Sequence, residues 1–326
     1  MRTILLTTTI LLMVGHLFAD YSWDQNKTSL ALKKEGATVW RFNAGAEDSK
    51  PCFHPLTLPD GSVITDFRPG DHRWHRGAWF SWKFLNERNF WEEDKHGTSP
   101  GGSSRIEHVR FDLKPDFSAV IELSMCYQDT NGVNLFSERR IIAVSPPDAS
   151  GGYSITTEME CEALSDVTIN QYYYGGFSLR MSKGHEAWIF LDAHGTTGRT
   201  HVKKDKQHRL TRAPSPWAAF VDSPEGPNQG VAILGHAENL RHPSRWLLLP
   251  HMPFMGPVFQ YGEYVVLKEG ERLSLKYKLL IFKDKQATAF LNEAQKTFNR
   301  YSSTIPPLTG SQRAGSNIEE RELSKH

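Results

Sequence analysis

Two stretches of strict alternation constrain this chain more than anything else in it. In "YSITTEMECEAL", Ile155, Thr157, Met159, Cys161 and Ala163 fall on one side, and Thr156, Glu158, Glu160 and Glu162 on the other. "RLSLKYKLLIF" repeats the pattern with Leu273, Leu275, Tyr277, Leu279 and Ile281 inward. A period of two belongs to a β-strand, and apolar–polar alternation to an antiparallel sheet with one face solvated. Shorter runs ("FSAVIELSMCYQD", "RRIIAVS", "EAWIFLDA", "GVAILGH") are separated by turn-rich clusters such as "YQDTNGVN" and "SPPDASGG". No repeat of fixed period and no break in composition divides them. The pattern predicts an all-β protein, one large antiparallel β-sandwich over residues 20–301. One segment departs from it. From Gln286 to Tyr301, Ala287, Phe290, Leu291, Ala294, Phe298 and Tyr301 keep helical spacing. A single C-terminal helix across the sheets is predicted there, with Asp284 as its N-cap. Residues 302–326 carry too few apolar side chains to bury and read as a disordered tail.

The first residues, "MRTILLTTTILLMVGHLFAD", read as an export signal over residues 1–19. Arg2 is the positive region, Ile4 to Val14 the apolar stretch, and Leu17-Phe18-Ala19 the cleavage site. That stretch is broken by three threonines and falls short of the ~20 residues a spanning helix needs. No later segment is long enough, so no membrane span is predicted. The expectation is an exported protein, periplasmic or extracellular. Lys and Arg (38) nearly balance Asp and Glu (37), so no global field draws in nucleic acid. Cys52, Cys126 and Cys161 do not make a disulfide framework, and a chain of 326 residues can bury a core without one.

Chemistry concentrates in "FRPGDHRWHRGAWFSW", Phe67 to Trp82. Beyond Gly77, Ala78, Phe80 and Trp82 alternate with Trp79, Ser81 and Lys83, so a strand begins there and His72 to Arg76 lie on the loop feeding it. His72 and His75 are spaced to converge in a turn. The bland alternative is two exposed histidines capping it. Arg68, Arg73 and Arg76 stand beside them, able to hold a carboxylate or sulfate. Ten residues on, "NERNFWEEDKHGTS" turns at Asn86 to Asn89 and then presents Trp91, Glu92, Glu93 and Asp94. An acidic cluster one hairpin from a basic loop could meet it across a cleft, or be a solvated strand end. "YYYGGFSLRM" adds Arg180 beyond a run of tyrosines that reads as a packed, bulged strand. "LGHAENLRHPSRWLLLP" adds His236 and Asn239, where His236 could equally be a core histidine.

Taken together, "KPCFHPL", "DHRWHRGAWFSW", "NFWEE" and "GVAILGHAENLRHPSRW" resemble the exported bacterial PmoA-like proteins, a domain of unknown function. The resemblance runs in order from about Lys50 to Phe282. It rests on His54-Pro55, on Asp71-His72 with His75-Arg76-Gly77, on Asn89-Phe90-Trp91-Glu92, and on His236 with Asn239 and Trp246. Arg73-Trp74 stand where that family has Pro-His, and Glu87 stands where it has a turn glycine. The family name points to a methane monooxygenase subunit, a multi-span membrane protein, which this chain does not resemble. What the resemblance implies is a large sandwich similar to galactose mutarotase-like folds, in bacteria that degrade polysaccharides.

The leading expectation is therefore an exported carbohydrate-active protein working on a sugar or oligosaccharide by His/Glu acid–base catalysis. Hydrolysis, elimination and epimerisation all stay open. His75 would be general base or acid, Glu92 its complement, and His72 would orient the sugar beside them. Arg76 and Arg180 would hold negative charge, His236 and Asn239 would bind the sugar, and Trp74 and Trp91 would stack on its faces. No cofactor is called for. The rivals are a non-catalytic carbohydrate-binding module and a metal-assisted site at His72, His75 and His108. As a loop residue, His75 is expected to add little to the core.

Overall fold

The alternation becomes a sandwich because two long strands pair in the register that faces their apolar sides the same way. β11 (Tyr153–Ala163) runs antiparallel to β20 (Arg272–Lys285), with Ile155 opposite Leu279, Met159 opposite Leu275 and Cys161 opposite Leu273. All of these residues are buried in one interior cluster. The structure, a computed structural model, describes residues 20–45, 50–94, 97–185, 187–195, 211, 213–223, 225–249 and 252–301. The expected export signal and tail lie outside these residues.

The first sheet has eight strands in the order β1 (Tyr21–Gln25), β2 (Ser29–Lys34), β3 (Ala37–Asn43), β4 (Cys52–Leu56), β5 (Ala78–Ser81), β13 (Gly176–Arg180), β18 (Phe254–Val258) and β17 (Arg245–Leu249). The second, also of eight, runs β14 (Ile189–Asp192), β15 (Trp217–Val221), β16 (Asn228–Gly235), β20, β11, β10 (Asn134–Val144), β9 (Ala119–Asp129) and β8 (Gly102–Leu113). A small third sheet, β19 (Val265–Leu267), β12 (Val167–Ile169), β6 (Phe84–Leu85) and β7 (Arg88–Asn89), closes one end. Every pairing between these strands is antiparallel.

Period two then sorts the first sheet into two faces. Ala78, Phe80, Phe177, Leu179, Leu248 and Met255 enter the interior between the large sheets. Their neighbours Trp79, Leu247, Leu249 and Phe254 point to the outer face, where they form a separate apolar cluster with Trp91. That outer cluster is the floor of the site described below. On the far side of the molecule, helix α1 (Ala287–Phe298) lays Ala287, Leu291 and Phe298 on the outer face of the second sheet, against Trp217, Leu234 and Phe282. No described helix is long and apolar enough to cross a membrane.

Three local expectations are corrected. β20 does not stop at Phe282 but continues to Lys285, and Asp284 sits in it at φ +57° rather than capping the helix. The N-cap position is Gln286, with no side-chain capping bond. Glu158, expected on a solvated face, is 1% exposed, because β11 is a central strand and Lys276 of β20 lies opposite. Cys52, Cys126 and Cys161 are free, buried thiols.

Candidate functional site

The loop ahead of β5 folds onto the outer face by two consecutive turns. The amide of His72 donates to Pro69 O at 3.1 Å, and that of His75 to His72 O at 3.0 Å. The second turn brings the two imidazoles into a stack with ring centres 4.8 Å apart. Gly77 then lets the chain enter β5. Its φ is +73°, and a Cβ there would meet Phe53 O at 2.4 Å, so only glycine fits. The neighbouring loop is shaped by Asn89, whose side-chain oxygen accepts from the amides of Trp91 (2.9 Å) and Glu92 (3.3 Å). A third loop, Tyr172 to Tyr174, closes over the top. It is held by Gln260, whose amide donates to Tyr174 O at 2.8 Å.

Between these loops and the outer face lies a cavity of about 140 Å³. Its polar side is His72, His75, Glu92, Tyr173 and Tyr174; Trp74 and Trp91 are its indole walls; Leu247, Leu249, Met252 and Phe254 make the apolar side. An engineered cavity of roughly 150 Å³ takes one benzene-sized ring, so this volume suits a single six-membered ring.

Each polar group in the cavity has a fixed electrical setting. His75 is 3% exposed and wedged against Trp79, Trp91 and Phe254 at 5.1–6.1 Å between ring centres. Burial pushes its pKa well below the usual histidine value, and His72, Arg180 and Lys50 push the same way. His75 is therefore neutral at pH 7. Nδ1 of His72 lies 3.0 Å from Asp71, and Asp71 is gripped by Arg180 Nη2 at 2.9 and 3.2 Å. Burial works against ionised Asp71, but His72 and Arg180 outweigh it and lower its pKa to about 2. Burial likewise opposes ionised Glu92. Lys83 on one oxygen and the Tyr174 hydroxyl on the other (2.6 Å) outweigh it and hold Glu92 below the usual carboxylate range. The Lys83 ammonium is itself caged by Phe84, Tyr172 and Tyr174, 4.5–5.2 Å from their ring centres.

Behind the cavity runs a buried ion triad. Glu93 takes Lys50 on one oxygen, at 2.9 Å, and Arg76 on the other. Lys50 also donates to Trp91 O and, at 3.5 Å, to Trp74 O, while Arg76 donates to Arg73 O at 2.7 Å. Burial lowers the Lys50 ammonium to a pKa of about 8, with Glu93 resisting.

Of the residues singled out in the sequence, the structure brings His72, Trp74, His75, Trp91 and Glu92 around one cavity. The others go elsewhere. Arg76 is fully buried on Glu93 and is a strut of the loop, not a ligand contact. Arg180 is spent on Asp71. His236 and Asn239 lie in the loop that follows β16 of the second sheet: His236 packs edge-on to Phe298 at 5.1 Å, and Asn239 bonds both ways with the Lys276 backbone of β20 at 2.6 and 2.7 Å. Neither lines the cavity. His108 is exposed on β8, the edge of the second sheet, so it does not join His72 and His75. Among the described residues no group of three or more His, Cys, Asp and Glu could hold a metal ion. His75, expected to matter little to packing, is core-like, because Phe254 and two tryptophans surround it.

Sequence reasoning missed Lys50, Lys83, Tyr173 and Tyr174 as parts of the site. For the tyrosines a signal existed, the Gly175-Gly176 pair directly after them. Gly175 has φ +127°, and a Cβ on it would meet the Gln260 amide at 2.2 Å, so the pair marks a close approach rather than a strand bulge.

No curated protein sequence matches the chain. Among solved structures it is similar to a candidate aldose 1-epimerase from Klebsiella pneumoniae (8% identity, 87% of this chain and 90% of that one, TM-score 0.44). It is also similar to an α-galactosidase from Lactobacillus brevis (8% identity, 82% of this chain and 40% of that one, TM-score 0.43). A third is a galactose mutarotase related enzyme from Lactobacillus acidophilus (10% identity, 82% and 98%, TM-score 0.38). The model of a family of unknown function (DUF6807) matches residues 29–296, a match that carries no PmoA label, and the chain belongs to that family.

Proposed function

We propose that the cavity binds one sugar ring and that the protein is a carbohydrate-active enzyme working by proton transfer from His72 and His75, with Glu92 as a fixed anion. The observation that carries this reading is the joint placement of a neutral His75, an Asp71-backed His72 and an ionised Glu92 around a one-ring cavity walled by Trp74 and Trp91. An imidazole held neutral can accept a proton at pH 7, and an aspartate behind a second imidazole is the usual way to orient it. Indole walls suit the apolar faces of a sugar ring. Two-carboxylate hydrolysis needs a second carboxyl kept protonated. Glu92 is the one carboxylate among the described lining residues, and it is held ionised. Proton abstraction, as in epimerisation or elimination, fits better. The apolar leader at Ile4 to Val14 supports action outside the cytoplasm.

Purified protein incubated with plant and algal oligosaccharides tests this by mass spectrometry and NMR. A product isomer of unchanged mass marks epimerisation, an unsaturated product marks elimination, and gain of one water marks hydrolysis. His72→Gln should then lower turnover by roughly 10²–10⁴-fold while the ring still binds, and Glu92→Gln should lower it as well. One observation favours a binding module instead: both Glu92 oxygens already hold partners, Lys83 and Tyr174. Binding without turnover, unaffected by Glu92→Gln, would establish that reading.

A further inference from the structure

Arg180, at the end of β13, holds the His72 loop at three points. The loop starts after Asp66 and rejoins β5 through Gly77, with Phe67 and Arg76 bridged across its neck. The Asp66 amide donates to Arg180 O at 3.0 Å, and the Arg180 amide donates to Gly77 O at 2.7 Å. One residue of the sheet therefore carries both ends of the loop. Its side chain makes the third hold, with Nη2 2.9 and 3.2 Å from the two oxygens of Asp71. Arg180 is 3% exposed and the Asp71 side chain 45%, so the fixed partner is the guanidinium and the carboxylate is the group it immobilises. The Asp71 oxygen nearest Arg180 is also the one 3.0 Å from Nδ1 of His72.

We infer that Arg180 is a positioning residue: by pinning Asp71 it fixes His72 as the Nδ1–H tautomer and leaves Nε2 as the lone-pair nitrogen. That this nitrogen then takes a proton from a sugar rests on the proton-transfer reading above. An ionised carboxylate 3.0 Å from a ring nitrogen repels a lone pair there, so the hydrogen sits on Nδ1 and the other nitrogen is the acceptor. The ring contacts of His72 do not make this choice. His75, stacked at 4.8 Å, and Trp74, edge-on at 5.3 Å, restrict the plane of the imidazole without telling its two nitrogens apart. Arg180 does not line the cavity, so it acts through Asp71. Its two backbone bonds are open to any residue with an amide hydrogen, and they survive substitution of the side chain. Replacing the guanidinium therefore separates its hold on Asp71 from its hold on the ends of the loop.

Nitrogen-15 NMR of the full chain labelled at histidine tests this at about pH 8, where an ordinary histidine is neutral. His72→Gln assigns the resonances of His72. Wild type should show His72 as the Nδ1–H form alone, and Arg180→Met should show both tautomers. Asp71→Ala should give the same mixture, and adding Arg180→Met to it should change the mixture no further, because the arginine acts through the carboxylate. If Arg180→Met does not fold, Arg180→Gln takes its place. A merely structural arginine would lower the melting temperature and leave the tautomer as it was. His72 staying Nδ1–H in a folded Arg180 variant, or mixed tautomers already in wild type, would overturn the inference. On a sugar turned over in the oligosaccharide screen, Arg180→Met should lower kcat by about 10²-fold with KM little changed. A rise in KM alone would count against it. No turnover of any sugar, with the tautomer nonetheless set by Arg180, would overturn the proposed reaction and leave this role of Arg180 standing.

Discussion

Lys50→Met is expected to make the protein more stable at pH 7, an unusual outcome for deleting a buried, hydrogen-bonded side chain. The ordinary lysine pKa is 10.5, and burial brings Lys50 to about 8 despite Glu93. That gap corresponds to roughly 3 kcal/mol by which the fold disfavours the charged ammonium. Methionine fills similar volume without charge. It gives up the ammonium's bonds to Trp74 O and Trp91 O, each worth about 1 kcal/mol. Glu93 keeps Arg76, so no carboxylate is stranded. The net gain is about 1–2 kcal/mol. Its pH dependence has a definite sign. Below pH 8 both folded and unfolded wild type are protonated at Lys50, and the folded state bears the full cost. Between about 8 and 10.5 the unfolded chain binds the extra proton, wild-type stability rises with pH, and the advantage of Lys50→Met shrinks. Urea denaturation of both proteins at about pH 7 and about pH 10 reads this directly, and the comparison cancels the buried tyrosines. A variant less stable than wild type at pH 7 by more than about 1 kcal/mol would refute the reasoning, as would an advantage that does not shrink with pH. Glu93→Gln should do the opposite, costing about 3–5 kcal/mol by removing the buried carboxylate that Lys50 and Arg76 share.

Trp82, 1% exposed between Phe80, Phe136 and Phe259, should cost about 3–5 kcal/mol as Trp82→Ala, whereas Arg110→Ala, a 59%-exposed strand charge, should stay within about 0.5 kcal/mol; thermal melts compare them. His75 is held neutral when folded, so the unfolded chain binds more protons just below the ordinary value of 6.5 and wild-type stability falls as pH drops through that point. His75→Gln should lose less stability over the same acid range, and an unchanged acid slope would count against a neutral His75. Asn86 and Glu87 make the β6–β7 turn at φ +49° and +64°, so Glu87→Gly should relieve up to about 1 kcal/mol of backbone strain, read as a raised denaturation midpoint.

What the sequence determined by itself is whatever depends on near neighbours. Alternation at Ile155 to Ala163 and Leu273 to Ile281 specifies strands with one apolar face, because successive side chains must point to opposite sides. The same period puts Trp82 in the core and Trp79 outside it. The residues between His72 and Glu92 are close enough in the chain that two turns and a short hairpin bring His72, Trp74, His75, Trp91 and Glu92 together, so that part of the site was legible. The tertiary structure alone decided the rest. Tyr173, Tyr174, Leu247, Leu249, Met252 and Phe254 reach the cavity because the sheet order sets β5 beside β13, β18 and β17, strands far apart in sequence. His236 and Asn239 look alike in kind to the site residues, yet they lie in the loop after β16, and Asn239 is tied to β20 of the other sheet. Charge pairing was the least legible layer. Arginine and lysine declare their charge in the sequence, but whether that charge meets a ligand or a carboxylate depends on which loop folds over it. Glu93 claims Arg76, and Asp71 claims Arg180. Burial sets what each charge is worth, and burial is a property of the fold.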